Sequence, residues 1–220
     1  MSSAVIQLIV LAGIAIFLIL KLRSVLGTRE GFEKPQVQPK REESGRTRRD
    51  FEVIEGGTDH DIVDHVREGS DAAEALARMK RAEPSFTVSE FLQGARGAYE
   101  MILMAFERGQ LDQIKPFLSE DIYETFEEVV EERERKGLTI ESSFVGLREL
   151  EIEDAEFDED DREGEVTVRF VGEITSAVID ASGQIVEGSR NEIKRQKDVW
   201  TFARKMGTGD PNWQLVATGG

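Results

Sequence analysis

The 220-residue chain contains no cysteine, which excludes disulfides, thiolate zinc sites and cysteine nucleophiles and fits a reducing compartment. Histidine is almost as scarce: His60 and His65 both lie in the polar stretch TDHDIVDHVREGS, ahead of the segments with regular apolar periodicity. Phosphate-cradling glycine loops, dinucleotide fingerprints and Ser-His-Asp sets are missing. Positive charge is outweighed, with 28 Lys and Arg against 44 Asp and Glu and a formal net charge of −16. An acidic body repels nucleic acid and argues against RNA or DNA as a partner. These absences predict a protein that is not an enzyme, with no cofactor and no metal.

What is present begins with hydrocarbon. From residue 4 to residue 20 the one strongly polar side chain is Gln7. Extended through Leu22 as a helix, the run measures roughly 29 Å, enough to cross a bilayer core of about 30 Å. A cleaved signal would carry a basic start and a small-x-small cleavage site, whereas Met1, Ser2 and Ser3 precede this run and Lys and Arg follow it. Lys21, Arg23 and Arg29 lie just C-terminal to the run and predict a single-pass anchor with the body on the cytoplasmic side, the three cations facing anionic lipid. Gly13 has no GxxxG partner, and nothing in the sequence specifies an oligomeric state.

Charge is split along the chain. Residues 21–49 hold nine basic and four acidic side chains, net +5, which leaves −21 for the remainder. A basic stem beside a membrane attracts anionic headgroups at about 1 kcal/mol per cation. The reading divides the chain into an anchor at 1–23, a basic then mixed-charge linker at 24–69, a short amphipathic helix at 70–84 and a folded domain at 85–220.

Within the linker, His60, Asp61, Asp64 and His65 recur at helical spacing, but so little apolar surface surrounds them that a polar surface helix or linker is the expectation rather than a metal site. Ser70 opens an amphipathic helix stopped by Pro84, which packs on the domain, on a partner or on headgroups. Thr87 and Glu90 form a capping box before a long apolar stripe that includes Phe91, Tyr99, Ile102, Leu103 and Phe106. Gly94 and Gly97 in that helix predict close approach of another element. A further helix starts at Ser119, with Ile122, Phe126, Val129 and Val130 as its buried seam, and Glu131–Arg135 and Glu132–Lys136 pairs outside. The period then changes to alternation, placing strands near 144–157, 164–179, 185–204 with a break, and 213–218. Helices followed by antiparallel strands make an α+β domain with helices on one face of a curved sheet. The carboxylate-rich stretch 149–165 reads as a solvated strand face and hairpin tip, because Arg162 occupies the fifth place of what would otherwise be a calcium loop.

Three blocks, FLQGARGAYEMILMAFERGQLDQIKPFLSEDIYETFEEVV (91–130), GEVTVRFVGEI (164–174) and DVWTFARKMGTGDPNWQLVAT (198–218), resemble the Tim44-like domain family. The opening span with LRSVLGTREGFEKP (22–35) is similar to bacterial, alphaproteobacterial-type, membrane-anchored members. The resemblance implies a cone-shaped, nuclear transport factor two-like domain with an apolar pocket, held at a bacterial inner membrane. It also implies contact with anionic lipid such as cardiolipin and a protein partner such as a heat-shock chaperone or a translocase component. The expected function is an adaptor or tether in protein translocation or membrane-protein assembly, with a carrier of an apolar ligand or lipid as the alternative. On that fold the candidate pocket or partner-binding residues are Tyr99, Leu103, Phe106, Phe126, Phe170, Trp200, Phe202 and Trp213.

Overall fold

The computed structural model describes residues 59–219. The apolar run, the basic stem and Lys21, Arg23 and Arg29 lie outside the described residues. Among the described residues no helix is long and apolar enough to cross a membrane.

Four helices precede four strands: α1 (His60–Val63), α2 (Asp71–Ala82), α3 (Val88–Glu107) and α4 (Glu120–Arg135), then β1 (Thr139–Asp158), β2 (Glu163–Ile179), β3 (Ile185–Lys205) and β4 (Gln214–Gly219). Two short 3-10 turns, Leu111–Gln113 and Lys115–Phe117, link α3 to α4. Side-chain oxygens of Ser70, Thr87 and Ser119 accept from Ala73, Glu90 and Ile122 N–H, so each long helix starts at a hydroxyl cap the sequence supplies. The exposed pairs Glu131–Arg135 and Glu132–Lys136 form as expected on α4.

The strands form one antiparallel sheet in the order β1-β2-β3-β4. β1 carries one extra residue at each of three register shifts, between Phe144 and Gly146, Leu147 and Glu149, and Ile152 and Asp154. Bulges increase local twist and bend the longer strand around its partner. One sheet face, with Val166, Val168, Phe170, Ile174, Trp200 and Phe202, is buried with Leu76, Met79, Tyr99 and Ile102 of the helices. The other face is polar: Arg169 reaches Glu149, Glu151 and Glu153, and Arg148 and Arg195 both reach Glu173. This is the mixed α+β architecture that the change of period predicts.

Four local expectations need correction. Residues 60–69 are not all linker: Ile62 is buried in the core, and Asp61 bonds the N-terminus of α3 through Val88 N–H (2.8 Å) and Ser89 N–H (3.0 Å). That use of Asp61, and the end of α1 at Val63, also separate His60 and His65 from one continuous helical face. Of the three alternatives for α2, it packs on the domain, since Leu76 and Met79 are fully buried, so the boundary at residue 85 falls too late. On α4, Val129 is exposed, because Val130 takes the inward position while Phe126 is half-buried. Finally, β1 begins five residues earlier than expected, because the missed residues 139–143, TIESS, carry a single apolar side chain, Ile140, and so show no alternation by which a strand is read.

Candidate functional site

The alternation of β3 puts Asp198, Trp200, Phe202 and Arg204 on the helix-facing side in turn, and the site grows out of this register. At its inner end Tyr99 of α3 lies flat on Phe170, with centroids 4.4 Å apart and planes 5° apart, and against Trp200 at 4.8 Å. The Tyr99 hydroxyl donates to Asp198 Oδ2 at 2.6 Å, and Gln196 donates to Asp198 Oδ1 at 3.1 Å. Burial, then the Asp198 carboxylate, push the Tyr99 phenol far above its ordinary value. Burial likewise raises the Asp198 carboxyl, which the two hydrogen bonds offset in part. Tyr99 stays a neutral donor, and its bond to Asp198 ties α3 to β3.

The aromatic stack fills the space between α3 and the sheet. Tyr99, Leu103, Phe170 and Trp200 are therefore core residues, and the apolar pocket implied between helix and sheet is occupied by side chains. Phe106 and Phe126 form a separate pair at 4.4 Å between α3 and α4, with the Arg133 guanidinium 4.4 Å over the Phe106 ring. Only Phe202 and Trp213 of the eight expected residues line the principal open cavity.

That cavity, about 510 Å³, is a groove along the N-terminal half of α3. Gly94, Gly97, Ala98 and Met101 form its helical floor, and a Cβ at either glycine would meet no atom within 4 Å. No other element of the described residues closes on these glycines, contrary to expectation. Its apolar walls are Phe86, Phe91, Phe117, Phe202 and Trp213, with Phe91 and Trp213 at 4.7 Å and Phe86 and Trp213 at 5.8 Å. Phe117 stands at the groove because Pro116 shapes the 3-10 turn that carries it.

One end of the groove is charged. Arg204 is 9% exposed and donates to Glu83 Oε1 at 2.8 Å and to the Asp210 carbonyl at 3.1 Å. Its guanidinium stands 5.1 Å from the Trp213 ring and 6.0 Å from the Phe86 ring. Glu83 also accepts from Gly207 N–H at 2.7 Å, so this pair ties the end of α2 to the β3–β4 turn. A buried pair held by cation–π contacts and a backbone donor is a rigid feature with little net charge to offer a ligand. Glu90 on the rim is exposed.

Sequence reasoning missed Arg204, Glu83 and Asp198. The period-two count from Trp200 and Phe202 could have placed Asp198 and Arg204 inward, since both share their parity; nothing local marks Glu83, which faces Arg204 across 121 residues. Chemically the groove can hold an apolar segment against aromatic walls. Among the described residues no group of His, Cys, Asp and Glu is arranged to hold a metal ion.

The chain is 22% identical to the human mitochondrial import inner membrane translocase subunit TIM44 over 160 residues, and 21% identical to the mouse protein. Each alignment covers 71% of this chain and 35% of the relative, so the chain spans about a third of those proteins' length. Among solved structures, the intermembrane space region of the chloroplast protein ARC6 is similar with a TM-score of 0.39 and 13% identity, over 56% of this chain and 88% of that one. The blocks read from the sequence, the helices-then-sheet order and the match to the Tim44-like domain over residues 72–220 lead to one conclusion: the chain belongs to the Tim44-like domain family.

Proposed function

We propose that this protein is a non-catalytic, membrane-anchored adaptor of protein translocation or membrane-protein assembly, whose α3 groove receives a segment of a protein partner. The single observation that carries the reading is the groove itself: an open floor at Gly94 and Gly97 beneath rigid aromatic walls, in a domain whose interior is filled. Small residues on a helix let another backbone approach closely, and aromatic walls supply the anchoring contacts typical of protein interfaces. Relatives that are named as subunits of an inner membrane translocase support a role in translocation. In this reading residues 1–23 span a bacterial inner membrane once with the folded domain on the cytoplasmic side. Lys21, Arg23 and Arg29 meet anionic lipid such as cardiolipin, and the partner is a chaperone or translocase component.

A photo-crosslinking side chain at Met101, on the groove floor, tests this in native membranes, with one at Glu131 on the outer face of α4 as the control. Adducts to one protein from Met101 and none from Glu131 are expected. The apolar walls also suit the second reading, a carrier of an apolar ligand, and adducts to lipid alone would replace the adaptor with it. Equal labelling from both positions would sink both readings.

A further inference from the structure

We infer that the edge of β3 from Lys194 to Asp198 is a second docking surface, one that takes an extended acidic segment of another polypeptide by strand addition. It does not depend on the groove, which uses Phe202 and Arg204 farther along the same strand.

The geometry starts from unequal strand lengths. β3 runs for 21 residues beside β2, but β4 pairs with it only from Val199 to Ala203. Upstream of Val199, no strand among the described residues lies on the side of β3 away from β2. In an antiparallel pair every second residue aims its N–H and C=O away from its partner, so this stretch presents unpaired backbone groups in line with β4. A bulge bounds the site: Ile174 pairs with Lys194 and Ser176 with Ser189, so five steps on β3 match two on β2 and residues 190–193 leave the ladder. Between the bulge and the start of β4 the strand is regular, with neither proline nor register shift.

Charge and exposed apolar surface select the partner. Residues 190–197 carry four basic side chains and one acidic one in a chain of net charge −16. Arg190 and Arg195 are paired with Glu141 and Glu173, whereas Lys194 and Lys197 are exposed and have no ion-pair partner among the described residues. Asp198 turns inward to Tyr99 and does not oppose an incoming carboxylate. Among the described residues, three of the six exposed large hydrophobic side chains are on β3: Ile193 directly beside Lys194, and Ile185 and Val186 beyond the bulge at the β2–β3 hairpin end. Lysines on an open edge repel a second copy of the same edge and attract a segment that alternates carboxylates with apolar side chains. A membrane is the poorer occupant, because hydrocarbon leaves open-edge N–H and C=O groups unsatisfied.

The probe is a fluorescein-labelled ELEIEDAEFD peptide, the sequence of residues 149–158, which alternates carboxylates with apolar side chains within each half and changes phase at Glu153–Asp154, added to the full-length protein. Binding is expected to raise its anisotropy and to slow amide hydrogen exchange at residues 194–198 of the protein. A Lys194→Glu/Lys197→Glu protein should bind about tenfold more weakly, the ratio that corresponds to about 1.4 kcal/mol. Peptides with lysine for every carboxylate, or with proline at both central glutamates, should not bind. Equal binding by either altered peptide, or an unchanged affinity in the double variant, would overturn strand addition. Absence of peptide binding together with lysine-dependent binding to phosphatidylglycerol vesicles would overturn it in favour of a lipid surface.

Discussion

Tyr99 shows how a single hydroxyl organises the interior. Its ring lies on Phe170, its oxygen bonds Asp198, and a Cβ on Gly172 would come within 2.7 Å of that oxygen, so Gly172 is the gap into which the phenol fits. Tyr99→Phe removes a donor from a half-buried carboxylate and should cost about 1–3 kcal/mol at neutral pH. Because the Asp198 carboxyl is raised above the ordinary 3.8, the native state binds the proton more tightly than the unfolded chain, and this group opposes folding increasingly as pH rises from 3.8 through the native value. Loss of the Tyr99 bond raises that value further. Urea unfolding should therefore show a large penalty for Tyr99→Phe at neutral pH and a smaller one well below pH 3.8, where the carboxyl is protonated in both states. An equal penalty at both would remove the ionised carboxylate from the explanation.

At the scale of elements, α1 matters through one side chain. Burial acts to raise the Asp61 carboxyl, but bonds from Val88 N–H, the Ser89 hydroxyl, Lys80 and Ser89 N–H outweigh it and hold the group well below the usual carboxylate range. A depressed group stabilises the fold above its unfolded value of 3.8 and loses that effect as pH falls through the native one. Asp61→Ala should cost about 1–2 kcal/mol at neutral pH, as loss of a helix cap does, and the gap to the natural protein should close in acid. The long helix α3 gives the opposite case. Its two open glycines carry a helix-propensity cost of about 1 kcal/mol each relative to alanine. Gly94→Ala and Gly97→Ala should each stabilise the free protein by up to about 1 kcal/mol in thermal unfolding, while methyl groups on the groove floor should weaken the Met101 crosslink. Stabilisation with unchanged crosslinking would separate the glycines from partner binding.

For the whole molecule, the proposed anchor and the basic stem act on different ranges. Hydrophobic insertion is insensitive to salt, whereas the attraction of a +5 stem to anionic lipid is screened within about 3 Å at about 1 M salt. The full-length protein should stay with membranes through a high-salt wash. A protein lacking residues 1–23 should associate weakly at low salt and be released by that wash, as read by sedimentation and immunoblotting. Salt-resistant sedimentation of the truncated protein would rule out a single anchor.

Local chemistry made much of this fold legible. Hydroxyl caps at Ser70, Thr87 and Ser119 satisfy neighbouring N–H groups, and the change from a 3.6-residue to a two-residue period separates helices from strands, so both features are encoded within a few residues. The same reading failed where partners are distant. Ile62 and Asp61 looked like linker because their contacts are with elements far along the chain, and β1 looked shorter because its first five residues, TIESS, are held by pairing with β2 and carry only one apolar side chain. The sequence by itself determined the order and type of the elements, the apolar run and the division of charge. Only the tertiary structure decided that Tyr99, Phe170 and Trp200 fill the interior, that Phe202 and Trp213 join Phe86, Phe91 and Phe117 around an open groove, and that Arg204 is neutralised by Glu83. The physical reason is that helix and strand formation rest on neighbours in sequence, whereas whether a side chain closes a core, walls a groove or pairs a charge depends on which distant segments are brought against it.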